Sequence, residues 1–242
     1  MRKTSHPISF LLSMVFLTGC DSSLLYLSNN VPIPLIKKQR ETQFAGHYGT
    51  NGVNFQVVTS PVDNFAIAIA GTNLEQKQQS FSDKPEYHDI LTHKYLEGEL
   101  GYYFNATEEY SYEFFGGYGK GSGTDVNYSQ GFLGSSVNES NSGGKYEKYF
   151  VQGNFGKQSE FYISGFGLRV SYIRFSELYH YYNQSPKSVN KNEGLFVEPT
   201  LFAKVGPKYL KIELQVIFPY PMKDVDFDYK GTIISLGARI IL

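Results

Sequence analysis

From Glu41 to the C-terminus, apolar and polar residues alternate with a period of two, and this pattern restricts the chain to β-structure. In "LKIELQVIF", Leu210, Ile212, Leu214, Val216 and Phe218 fall on one face, and Lys211, Glu213, Gln215 and Ile217 on the other. "YLEGELGYYF" sets Leu96, Leu100, Tyr102 and Phe104 against Tyr95, Glu97, Glu99 and Tyr103. The last segment sets Ile234, Leu236, Ala238 and Ile240 against Ser235, Gly237 and Arg239. Successive side chains leave a strand on opposite sides, so each segment has one apolar and one more polar face. Ten strands are expected, near 42–50, 53–60, 65–73, 94–104, 109–118, 145–156, 159–175, 195–205, 208–218 and 230–242, with a short helix as an option within 74–92.

The polar faces decide how such strands close up. They mix charge with Gly, Ser, Thr and large aromatics such as Phe115, Phe150 and Phe202. A water-facing sheet surface rarely carries that mixture, whereas the packed interior of a narrow barrel does. Connections also alternate between long and short, as in outer-membrane barrels, the tight Asn51-Gly52 turn being the exception. The expected fold is therefore all-β: a single antiparallel up-and-down barrel of about ten strands with a narrow, filled interior. A content of 20 Tyr, 19 Phe and 24 Gly suits that class. With a net charge of -1 there is no electrostatic case for nucleic acid.

The inward faces then hold Glu97, Glu99, Glu113, Glu198 and Glu213 against Lys148, Arg169, Lys204, Lys211 and Arg239. Isolated charges in a narrow lumen are costly, so a mutually neutralising network is expected rather than a catalytic pair or a selective channel. A surface enzyme would have to draw on Asp83, His88, Asp89, His93 and His180, which no fixed motif joins. No sequence motif calls for a cofactor or a metal. "GGYGKGSGT" lacks the spacing of a phosphate-binding loop and reads as a flexible connection, and "YHYYNQ" (179–184) reads as part of an aromatic girdle.

The N-terminal part has a different character. Arg2, Lys3 and His6 precede an apolar core from Ile8 to Leu17 that is too short to span a bilayer as a helix. Leu17-Thr18-Gly19-Cys20 follows and resembles the bacterial lipobox, which implies cleavage before Cys20 and acylation of its thiol. Cys20 is the only cysteine, so no disulfide can form within the chain. Residues 1–19 are expected to be a signal peptide, 20–40 a lipidated extended tether, and 41–242 the barrel. Pro32 and Pro34 favour an extended tether, which would place the lipid in the periplasmic leaflet beside the barrel.

With "NNVPIPLIKKQRETQFAGHYGTNGVNFQVVTSPVDNFAIAIAG" and the Tyr/Gly-rich hairpins after it, the chain resembles the outer-membrane barrel lipoproteins of Bacteroidetes-type bacteria, best across residues 29–73. The resemblance implies a lipid-anchored outer-membrane protein with a non-enzymatic envelope role: structure, adhesion or binding of a protein or glycan partner. Two alternatives remain open: a tethered soluble barrel with reversed faces around an apolar ligand, and an outer-membrane enzyme.

Overall fold

Strand pairing begins at Thr42 and returns to it. In a computed structural model, which describes residues 24–79, 88–130, 137–188 and 191–242, ten antiparallel strands form one closed barrel. They are β1 (Thr42–Gly49), β2 (Gly52–Val62), β3 (Phe65–Gln79), β4 (His88–Asn105), β5 (Tyr110–Gln130), β6 (Val137–Gln158), β7 (Tyr162–Tyr182), β8 (Glu193–Val205), β9 (Leu210–Ile217) and β10 (Ile233–Ile241). Each pairs with its sequence neighbour, and β10 closes on β1 from Gln43↔Ile241 to Gly49↔Ser235. Two-residue ladders at Ser185–Pro186 and Tyr220–Pro221 extend the rim.

The turns at 63–64, 106–109, 159–161 and 206–209 lie at one end of the barrel, here the short-turn end. The longer connections and the Asn51 turn lie at the other. Side-chain direction follows the period-two reading. Leu210, Ile212 and Leu214 are exposed on the outer wall, while Lys211, Glu213 and Gln215 are buried inside.

Three expectations need correction. The strands β3 to β7 run well past their expected ends, so much of what reads as long loops is strand. Residues 74–79 and 88–92 pair in register from Leu74↔His93 to Gln79↔His88 rather than forming a helix. Beyond the apolar zone both faces meet polar surroundings, and hydrophobic alternation no longer marks a strand.

The glycine-rich stretch is likewise not a flexible connection but the middle of β5. Gly117, Gly119 and Gly121 form a bare stripe on its inner face, against which rings from neighbouring strands are packed. A Cβ at Gly117 would stand 2.3 Å from Phe150, at Gly119 2.2 Å from Tyr95, and at Gly121 2.3 Å from Tyr146. No side chain of any size fits between ring and strand there.

The third correction concerns the tether. Residues 24–36 are extended, but every one of them is buried, and they pass through the barrel lumen. Apolar clusters hold the segment along its length. Leu25 and Tyr26 pack with Tyr95, Tyr146, Phe175 and Phe196, and Val31, Ile33 and Leu35 with Ile163, Phe202, Ile217 and Ile233. An eight-stranded barrel is filled by its own side chains. Ten strands leave room for one extended chain, and this segment takes it. The expected tether has the composition of a core element: Leu24, Leu25, Leu27, Val31, Ile33, Leu35 and Ile36 would all be exposed to water outside the barrel. The Cys20 motif lies outside the described residues.

Candidate functional site

The outer wall carries a belt of apolar side chains with defined edges. On β6 the outward residues from Glu147 to Lys157 enclose Tyr149, Val151, Gly153 and Phe155. At the long-loop edge Lys120 pairs with Glu147 at 3.3 Å, and at the short-turn edge Lys157 pairs with Glu109 at 3.2 Å. About ten residues at ~3.3 Å each, inclined at the usual 35–45°, give a belt roughly 25 Å tall. Aromatic rings line both edges, with Tyr118 against Tyr149 at 4.9 Å on one side and Phe104 against Tyr112 at 5.0 Å on the other. Tyr179, Tyr181 and Tyr182, read from sequence as part of a girdle, stand beyond the belt on the projecting end of β7. There β3 to β7 continue past the belt as a polar sheet.

Inside, the wall is built to hold an extended backbone. Pro32 and Pro34 have no N–H to satisfy, so the middle of the segment mainly needs donors for its carbonyls. Wall side chains supply them in sequence. Gln215 donates to the Val31 carbonyl at 3.0 Å, Gln152 to Pro32 at 2.7 Å, Lys204 to Ile33, Gln43 to Pro34 at 3.1 Å and Gln158 to Leu35 at 2.9 Å. Acceptors meet the N–H groups at the two ends: Ile36 donates to Glu113 at 2.9 Å, and Leu24 to Asp125.

The charged residues of the inner wall lie around this segment, and all ten expected positions are buried. They form two groups rather than one network. In the first, Arg169 on β7 reaches past the bare glycines of β5 to Glu97 (3.1 Å) and Glu99 (2.9 Å) on β4, donates to Gln152 at 2.8 Å and lies 4.0 Å over the Phe150 ring. Lys148 pairs with Glu198 at 3.2 Å. Tyr26 of the lumen segment donates to Glu198, and Asn29 donates to Glu97 at 2.6 Å.

In the second group Glu213 accepts from Arg239 at 2.7 Å, with His47 at 3.4 Å and Lys204 at 4.0 Å. Arg239 also donates to Gln43 and Gln56. Two of the ten residues stand apart from these pairs. Glu113 accepts from Ile36 and Asn154 (2.9 Å), and Lys211 donates to the backbone carbonyls of Glu160 and Gly206 at the short-turn end.

The residues an enzyme would need do not converge. His93 is buried, with Nε2 2.8 Å from the Tyr146 hydroxyl, while His180 contacts Ser142 and Asp89 accepts from the Tyr128 N–H. His88 sits in the β3–β4 ladder, and Asp83 lies outside the described residues. Among the described residues no cluster of His, Cys, Asp and Glu has metal-binding geometry. The reversed-face alternative is also corrected. The inner wall is polar, the outer wall apolar, and residues 24–36 occupy the space an apolar ligand would need.

Sequence reasoning placed Gln215 on the inward face but missed Tyr26, Asn29 and the wall amides Gln43, Gln56, Gln152, Asn154 and Gln158. The amides occur on the same alternating faces as the charges, and that phase was the available signal.

No protein-family model matches the chain, and no curated protein matches it. Among solved structures it matches one described as "KdgM porin", with 10% sequence identity and a TM-score of 0.34, over 83% of this chain and 98% of the other. A likeness at that level assigns no function.

Proposed function

We propose that the protein is a lipid-anchored bacterial outer-membrane β-barrel with a sealed lumen and a non-enzymatic envelope role. In this reading the apolar belt meets lipid, Cys20 carries the acyl anchor, and the polar sheet projecting from β3 to β7 is offered to a protein or glycan partner. One observation carries it: a barrel whose outer wall bears an apolar belt of bilayer height is filled inside by its own residues 24–36. A soluble barrel would turn Leu210, Ile212 and Leu214 inward and Lys211, Glu213 and Gln215 outward.

Alkaline carbonate extraction of a Cys20→Ala variant tests the reading. The variant is expected to stay in the membrane pellet, held by the belt alone. Its release with soluble proteins would refute membrane insertion. A charge placed in the belt gives a graded check. Leu214, 44% exposed midway along β9, is expected to cost about 2–4 kcal/mol when changed to arginine, because the guanidinium must enter hydrocarbon, and Ile212, nearer the short-turn end, is expected to cost less. Lys211→Met, on the inner face, does not create that lipid-facing charge. Chemical denaturation of these variants refolded into liposomes compares the costs.

A further inference from the structure

The lumen segment has a direction. Its Ile36 end lies at the short-turn end, where the Lys37 carbonyl accepts from Asn105 at 3.1 Å, beside the 106–109 turn. Its Leu24 end lies at the opposite end. Leu24 donates to Asp125, about five residues past the belt-edge Lys120 on β5, and the Leu25 and Tyr26 N–H groups donate to the Asp228 carbonyl at 3.0 and 3.1 Å. The segment therefore crosses the full height of the belt before β1 begins.

The wall is low where the segment leaves. The β2–β3 ladder ends at Val53↔Asn73, and β3 beyond it pairs only with β4. Leu24 packs against Leu74 at that step.

We infer that the chain upstream of Leu24 lies on the long-loop side, outside the cell, and that the acyl group on Cys20 enters the outer leaflet of the membrane. The inference rests on the outer-membrane reading above and replaces the periplasmic-leaflet anchor expected from sequence. Reach supports it. From Leu24 back to Cys20 an extended chain spans at most about 14 Å. Asp125 lies about five residues beyond the belt edge, a rise of ~12 Å at the strand inclination of 35–45°, so the headgroup level on that side is within range. The periplasmic leaflet lies beyond a belt about 25 Å tall, and the route through the lumen is already filled by the segment itself. Acyl chains do not remain in water when a bilayer surface is within reach.

The test uses the full chain in a bacterium with two membranes, probed with a membrane-impermeant maleimide. Acylated Cys20 offers no thiol, so an introduced cysteine is the reactive site. Ser23→Cys is expected to label on intact cells to the same extent as on lysed cells. Glu108→Cys, in a short turn, is expected to label only after lysis. Ser23→Cys protected until lysis would overturn the inference while leaving the barrel in place. Glu108→Cys labelled on intact cells would overturn the outer-membrane orientation itself. Wild-type protein that reacts once denatured would show a free Cys20 and overturn the acyl anchor.

Discussion

Changing Arg169 to methionine is expected to destabilise the barrel by about 3–5 kcal/mol, the cost of leaving a buried charge without its partner. Arg169 is the shared counter-ion of Glu97 and Glu99, and it spans from β7 to β4 with no side chain of β5 in its way. Without it, Glu97 keeps the donors Asn29 and Tyr95, but the two carboxylates stand side by side on the inner face of β4, buried and without their shared counter-ion. The combined variant Arg169→Met, Glu97→Gln, Glu99→Gln removes the charges together and is expected to recover most of the loss. Equilibrium unfolding in urea, with the single and triple variants side by side, measures the difference. A triple variant as unstable as the single one would contradict the pairing account.

The largest change in behaviour is expected from deletion of residues 24–36. The wild-type lumen holds these residues against Gln152, Lys204 and Gln215, so the protein should pass no steady current in planar bilayers. Deletion leaves a polar inner wall of amides, carboxylates and bases that water can enter, and steady single-channel currents should appear in the molecules that insert. Conduction by the wild type, or a silent barrel after deletion, would show that the segment is not what seals the lumen.

The architecture was legible where one face lay on the apolar outer wall and the other met the packed interior. In "LKIELQVIF" those two environments impose opposite demands on alternate residues, and the strand, its phase and its inward charges can all be read. Past Lys120 the demand on the outer face relaxes, and β5 continues through Gly121, Ser122 and Gly123 with nothing in composition to separate it from a loop. There β5 is held by its ladder to β6, a long-range pairing that local sequence does not report. The lumen segment was misplaced for a related reason. Val31-Pro32-Ile33-Pro34 reads as an extended linker because prolines favour that backbone, and an extended backbone is also what a narrow lumen accepts. What separates a linker from a lumen element is the cost of exposing Leu24, Leu25, Leu27, Ile33 and Leu35, and a reading that weighed burial before backbone preference would have placed the segment inside.

The seam between β10 and β1 sets an order of assembly. β1 is only eight residues long and is joined to the lumen segment through Lys37–Glu41. Once Gln43 to Gly49 have zipped onto Ile241 to Ser235, the ring is shut and the segment can no longer enter sideways. Its donors sit mainly on β6, β8 and β9, so a still-open sheet already presents a groove that fits residues 24–36. Shutting the ring over an empty groove would cost Glu97 its contact with Asn29 and Glu198 its contact with Tyr26, leaving each with its wall partners alone. The part of the chain that leaves the ribosome before any strand can therefore serve as a mandrel: a wall wound around it reaches the filled barrel directly, whereas a wall closed without it leaves the lumen open to water.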